Sequence, residues 1–429
     1  MSVKRISLFP ILTVNFIGTL GFSIVLPFLV FLVTRFGGNS IAYGIMGSVY
    51  PAFQLIGAPF LGRWSDVYGR KKVLLLSSFG TIAGWVIFFI SFFLPMVVIF
   101  KVNFLFFGMV VLTLPLLVLF LARAIDGLTG ANISIANAYL SDITQEKERN
   151  KNFGKMSISS NLGFILGPAI AGILGGTVYG EMLPVIAALA ISIVSAFVIF
   201  FFLPESKPLS YEEPQAPGIE KILGCEQRAS FETKTNNRRS SRVSFKKVLG
   251  IKYVPFFLLL NFLIFLGFNF FYTAFPVHVV QKLGWSVAEM GAFYSILSLI
   301  MVVFQGPVLT FASKHFSDKK LVLTGSFILG ANFILLLSDD MFVLYSAAVL
   351  FAAGNGLMWP SFLSLLSKIA GSTYQGSVQG FASSAGSLAS IIGLITGGFL
   401  YSIAGTAVFV VAASVIYLVF LLSFRMPDE

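Results

Sequence analysis

Apolar runs of about twenty residues, each long enough to cross a bilayer as a helix, alternate along this chain with short polar punctuation. The pattern predicts spans near 8–33, 41–61, 73–94, 114–141, 154–175 and 182–203, then 253–279, 287–312, 321–337, 341–366, 376–400 and 406–424. The fold class this implies is an all-α membrane protein, twelve transmembrane helices in two pseudo-symmetric six-helix bundles. Residues 1–203 form the first bundle, 204–250 a linker and 251–429 the second. The linker opens on Leu203-Pro204-Glu205-Ser206 and continues through Pro, Glu, Ser, Asn and Arg without apolar periodicity, as a tether does. The apolar run after Lys4 and Arg5 is long enough to span and is read as span one rather than a cleavable signal.

Hydropathy alone would also allow a span between Met96 and Leu121. Parity excludes it. Segments 62–72 and 143–155 are both basic, so both belong on the cytoplasmic side and an even number of spans separates them. The piece 96–113 is therefore expected at the outer surface, or to dip in and return.

Composition sharpens the class. With 57% hydrophobic and 11% charged residues and a mean hydropathy of +0.90, the chain has too few polar groups to cover a soluble surface. A net charge of +11 would suggest nucleic acid in a soluble protein, but here the cations sit in loops on one side. All Lys and Arg except Arg35, Lys101, Lys282 and Arg123 fall in segments on the side of 62–72. That bias places both termini and the linker in the cytoplasm of a multi-pass plasma-membrane protein. One cysteine, Cys225, excludes an internal disulfide, and His278 and His315 are too separated for a metal cluster. No cofactor, metal site, nucleophile–base pair or phosphate loop is expected, so the chain is not read as an enzyme.

The most informative punctuation is Gly62-Arg63-Trp64-Ser65-Asp66-Val67-Tyr68-Gly69-Arg70-Lys71-Lys72. Gly69 suits a tight turn with positive φ, and Gly62 a close backbone approach. The cations hold the loop at the membrane surface, and Asp66 among them needs a specific partner. A weak copy recurs at Ser317-Asp318-Lys319-Lys320, with Lys314 where Asp66 stands, and Gly154…Gly167…Gly172 is echoed by Gly380…Gly393…Gly398. Duplicated six-span halves are a way to build a central site between two bundles.

The spacing G-x-x-x-D-x-x-G-R-K-K between spans two and three resembles the hallmark loop of the major facilitator superfamily, in particular drug/proton antiporters of the tetracycline-exporter type. Val67 departs from it, since many relatives have a cation there. The resemblance implies that Asp66 docks on the positive end of span eleven near Gln375, and that Arg70 bridges to Asp142. Gly62, Asp66, Gly69, Arg70, Lys71 and Asp142 are thus the gating set it implies. Gly163, Gly167, Pro168 and Gly172 resemble the span-five antiporter signature, with Ala171 replacing one glycine. Arg123-Ala124-Ile125-Asp126-Gly127 resembles the span-four motif whose Arg is implicated in proton coupling, although relatives often have a neutral residue where Asp126 stands. In span one, the exporters carry an acid nine residues before Pro27, and this chain has Gly18.

Arg123, Asp126, Gly127, Gly130, Ser134, Asn137 and Ser141 recur at three- and four-residue steps and are expected on one stripe of span four. Charges inside a span mark function by default; Arg123 and Asp126 are the coupling candidates, and a self-neutralised pair that only orients the helix is the other reading. Asn15, Gln54, Asn261, Asn269, Tyr272, Gln305, Asn355 and Trp359 sketch a substrate cavity, with interhelical hydrogen bonding the alternative for each amide. The expectation is a monomeric secondary transporter in the lipid bilayer, exporting an amphipathic small molecule in exchange for protons by alternating access. A metabolite uniporter or symporter, or a receptor or scaffold using the transporter fold, are the alternatives.

Overall fold

A computed structural model describes residues 7–25, 27–104, 108–144, 148–206 and 249–427. Most of linker 204–250, with Cys225, lies outside the described residues. Helices fill nearly all the rest. Nine among the described residues are long and apolar enough to cross a membrane by length and composition. That number is below twelve for three physical reasons. Span one, Phe9–Ser23, is cut short where Pro27, with no N–H to donate, interrupts the helix before Leu29–Arg35. Span nine, Asp318–Leu335, carries Asp318, Lys319 and Lys320 in its first turn. Spans eleven and twelve run together in one hydropathy window, Val378–Ser423, although Gly405 (φ 55°) ends the first of them.

The remaining spans are Ser40–Tyr68 (two), Arg70–Ile90 (three), Leu114–Thr129 with Asn132–Ile143 (four), Arg149–Gly175 (five), Met182–Phe202 (six), Val254–Gln281 (seven), Val287–Val303 (eight) and Val408–Ser423 (twelve). Span eight continues through a π turn, Phe304–Val308, into Leu309–Ala312. Spans ten and eleven form one 64-residue run, Met341–Ala404, broken at Gly371 (φ 61°, ψ 171°).

Several boundaries correct the sequence reading. The loop expected over 62–72 is a single residue. Span two runs to Tyr68, span three starts at Arg70, and Gly69 alone (φ 101°) makes the turn, because an L side chain is strained there. Gly62 lies inside span two, and a Cβ on it would meet nothing within 4 Å, so it serves no close approach. The segment 96–113 is an antiparallel hairpin, β1 (Val98–Phe104) with β2 (Gly108–Thr113).

Where the two bundles meet is set by glycines. A Cβ on Gly398 of span eleven would lie 3.2 Å from the Cα of Gly44 in span two and 2.5 Å from the Ser40 carbonyl oxygen. A Cβ on Gly172 of span five would lie 2.9 Å from the Cα of Gly291 in span eight. Both contacts are at the end away from the basic loops. Tyr43 adds a cross-bundle hydrogen bond there, its hydroxyl donating to the Tyr272 carbonyl at 3.4 Å. Toward the basic end, Cβ atoms on Gly62, Gly154, Gly306 and Gly380 would meet open space. The bundles are thus clasped at the cation-poor end, and these four glycines make no comparable contact.

Candidate functional site

Between the bundles lies a cavity of about 620 Å³. Its first-bundle wall includes Tyr50, Gln54, Thr81, Arg123 and Asp126, and its second-bundle wall Phe265, Asn269, Tyr272, Asn355 and Trp359. Span four reaches it in two pieces. The helix stops at Thr129 and restarts at Asn132, so Arg123, Asp126, Gly127, Gly130, Ser134, Asn137 and Ser141 do not form one continuous helical stripe. Gln54 covers the break, donating from Nε2 to the Gly130 carbonyl at 2.5 Å. Such a break leaves carbonyls that need a partner, and Gln54 supplies one.

Arg123 and Asp126 face each other at the cavity wall, Nη1 to Oδ2 at 3.5 Å, with side chains 8% and 16% exposed. The Arg123 guanidinium also sits over the Tyr50 ring, 4.9 Å from its centroid, and its buried Nε has no hydrogen-bond partner among the described residues. Small residues make room for this pair. A Cβ on Gly84 of span three would lie 3.1 Å from Asp126 Cβ, and one on Gly127 would lie 2.5 Å from the Tyr50 carbonyl oxygen. Thr81 of span three lines the same cavity. The pair is long for a hydrogen bond, and the cavity touches both members.

The polar residues proposed for the cavity divide. Gln54, Asn269, Tyr272, Asn355 and Trp359 line it. Asn269 Nδ2 donates to the Phe265 carbonyl at 2.6 Å and to Ser390 Oγ at 3.0 Å. Asn355 Nδ2 points at Met301 Sδ at 3.6 Å, and its buried Oδ1 has no hydrogen-bond partner among the described residues. Trp359 packs its ring edgewise on Phe265, centroids 5.3 Å apart. Asn15 is instead an interhelical contact, donating to the Met156 carbonyl (3.1 Å) and Ser160 Oγ (2.7 Å) of span five. Asn261 likewise donates to the Ala382 carbonyl of span eleven at 2.7 Å. Gln305 sits in the π turn of span eight, against Gly356 of span ten. A helical face is readable from spacing, but which neighbour covers it is not. The sequence reading missed Ser383, Ser387 and Ser390, which line the cavity from span eleven at steps of four and three. Their helical spacing along span eleven was the available signal.

Span five carries Gly163, Gly167, Pro168 and Gly172 in two contacts. Cβ atoms on Gly163 and Gly167 would lie 2.8 Å from the Leu20 amide nitrogen and 2.9 Å from that of Ile24, so these glycines seat span one, and Ser23 Oγ donates to the Gly163 carbonyl at 2.9 Å. Gly172 and the Pro168 carbonyl face Gly291 of span eight.

At the basic end, Arg70 gathers three acceptors. Its Nε donates to Asp142 Oδ2 (3.0 Å), Nη2 to Asp66 Oδ1 (2.7 Å) and Nη1 to Ser65 Oγ (2.6 Å). Arg70 is 9% exposed and Asp66 59%. Lys71 Nζ donates to the Phe200 carbonyl at 2.8 Å. The sequence reading overlooked Glu205. Its carboxylate accepts the backbone N–H groups of Arg70 (2.7 Å) and Lys71 (3.2 Å), capping span three where a Cβ on Gly69 would crowd it. Helix N-termini favour such an anion. Replacing Glu205 by Gln is expected to cost about 0.5–2 kcal/mol, the range for losing a helix cap. A fall of a few degrees in the Tm of detergent-purified protein would register it, and an unchanged Tm would argue that the cap is idle.

The family model of the Major Facilitator Superfamily matches residues 11–309 and 257–429. Among named proteins, the chain is 27% identical over 395 residues to the class E tetracycline resistance protein of Escherichia coli, covering 91% of this chain and 87% of that one. It is 28% identical over 405 residues to multidrug resistance protein 2 of Bacillus subtilis (strain 168), covering 92% and 89%. Among solved structures, the D-xylose-proton symporter superposes with a TM-score of 0.73 at 15% identity, over 98% of each chain. The human organic anion transporter TETRAN gives 0.65 at 20% identity, over 99% and 100%. Twelve helices, duplicated halves around a central cavity and a family match along nearly the whole length agree: this multi-pass membrane transporter belongs to the major facilitator superfamily.

Proposed function

We propose that this chain exports an amphipathic small molecule in exchange for protons, as a monomer with its basic end in the cytoplasm. The observation that carries this reading is the central cavity itself, walled by aromatic rings, amides and serines, closed at the cation-poor end and holding a buried ion pair. With the basic end inside, the closed end faces outward and the cavity is poised to load from the cytoplasm. Aromatic and amide walls suit a largely apolar solute with a few hydrogen-bonding groups. The relatives' names, tetracycline and multidrug resistance, are of the same kind. Between those two, multidrug export fits better. Gly18 lines the cavity with nothing within 4 Å of where its Cβ would stand, so the span-one acid of tetracycline exporters is replaced by open space.

Alternating access then needs the glycine clasps to open while the basic end closes. On this reading the Arg70 network braces the first bundle at that end, and Asp66, largely exposed, meets the second bundle on closure. The test is transport in proteoliposomes with and without an imposed pH gradient, using a fluorescent lipophilic dye and tetracycline as probes. Gradient-dependent movement of the dye, stronger than that of tetracycline, is the expected result. Movement of either probe that ignores the gradient would point to a uniporter and overturn proton exchange.

A further inference from the structure

The hairpin of β1 and β2 lines neither the cavity nor the Arg70 network, yet it is a built element. We infer that it is a membrane anchor, seated in the headgroup layer at the cation-poor face and fixed to the first bundle alone.

Its root is bolted to that bundle. Thr113 Oγ1 donates to the Phe36 carbonyl at 2.7 Å, and the Leu114 amide donates to the Val97 carbonyl at 2.8 Å. Beside it, Arg35 lies over the Phe92 ring and pairs with Glu181 at 3.1 Å, tying spans one, three and six. The exposed part is continuous with the flank of spans three and four. Ile90 and Phe93 before the hairpin, and Leu117 and Leu121 after it, are large apolar side chains on the outside of a membrane-spanning bundle. Side chains of that kind on a membrane-spanning bundle suit lipid, and the exposed run Met96–Phe100 follows Phe93 in the chain without an exposed polar residue between them.

Its side chains suit lipid as well. Met96, Val97, Val98, Ile99 and Phe100 are all exposed in succession. Past the register shift between Val98 and Phe100, neighbouring side chains point to opposite faces, and Phe100 and Lys101 are both exposed, so neither face of β1 is covered by protein there. In water such a ribbon would leave a row of five large apolar side chains bare. The depth follows from the backbone. A two-stranded sheet has two open edges, whose amides and carbonyls cannot be left unpaired in hydrocarbon. Exposed Lys101 also requires a polar boundary within reach. Apolar side chains, bare edges and a cation are satisfied together only where acyl chains meet headgroups.

The test uses full-length protein with Cys225 replaced by Ser, reconstituted in phosphatidylcholine–phosphatidylglycerol vesicles. Phe100→Cys on β1 and Val111→Cys on β2, which point to opposite faces because Phe100 pairs with Leu112 and Val111 with Lys101, are each labelled with an environment-sensitive NBD probe. Both are expected to show blue-shifted emission, to be quenched by nitroxide lipids labelled near the headgroup more than by those labelled deep in the chain, and to resist iodide. Iodide quenching at either position would place the hairpin in water. A blue shift insensitive to all lipid quenchers would mean that protein covers it, and dominant deep quenching would put it in the hydrocarbon. Each of these three outcomes overturns the proposal.

Discussion

In vesicles carrying a pH gradient of one unit, Asp126→Asn is expected to abolish uphill accumulation of substrate while downhill exchange continues. A unit of pH supplies about 1.4 kcal/mol per proton, so a one-proton carrier can hold roughly a tenfold gradient. The variant should fall to no gradient at all. The reason is that a ligand shifts an equilibrium only through different affinity for its two states, and a proton needs a group whose surroundings change between them. Asp126 has such surroundings. Arg123 is 3.5 Å away, and the cavity opens beside it. A movement that hydrates or separates the pair changes which form is favoured. Removing one partner of a buried pair also costs stability, commonly about 3–5 kcal/mol. The double variant Arg123→Gln/Asp126→Asn restores neutrality and provides the control. If Asp126→Asn still concentrates substrate against its gradient, Asp126 is only the structural partner of Arg123.

Gly398→Val is expected to stop transport as completely, by a different route. Its Cβ would lie 2.5 Å from the Ser40 carbonyl oxygen and 3.2 Å from the Cα of Gly44. The obstacle is backbone on both counts, so no rotamer change relieves it. Overpacking of this kind costs about 1–3 kcal/mol, and more where backbone must shift. That cost falls only on the state in which the cation-poor end is closed. At about 1.4 kcal/mol per tenfold change, the closed state loses roughly one to two orders of magnitude in population. The variant should insert and fold, bind substrate from the cation-poor side and fail to turn over. A cysteine placed in the cavity wall should react with an impermeant maleimide from that side more readily than in the unmodified carrier. Full turnover by Gly398→Val would mean that closure does not require spans two and eleven to touch.

The spans were legible because an uninterrupted apolar run of bilayer length can be buried in few ways besides crossing lipid as a helix. The span-five glycines were legible because Gly and Pro mark backbone events. Single-residue breaks were harder. Gly69 and Gly371 each turn the chain alone, so the sequence around them reads as loop although it is helix on both sides. The stripe through Ser134, Asn137 and Ser141 failed because nothing in its spacing announces the interruption at Gly130. Asn15 and Asn261 were placed on cavity faces, yet each is spent holding two helices together. An amide looks the same in sequence whether its partner is a solute or a neighbouring carbonyl. Glu205 was hidden for a further reason: it lies 135 residues from the amide it caps.

The two glycine clasps have a genealogical consequence. Gly44 stands four residues into span two and Gly291 four residues into span eight, while Gly172 and Gly398 match when Gly154 is aligned with Gly380. Each clasp joins one member of the first pair to one of the second, across the bundles. In a dimer of identical six-span chains those four positions would be two, and every contact between them would occur twice by symmetry. A single glycine substitution in such an ancestor would loosen or tighten both clasps together. After duplication and fusion the same positions can drift apart, so that one clasp can be altered while the other is kept.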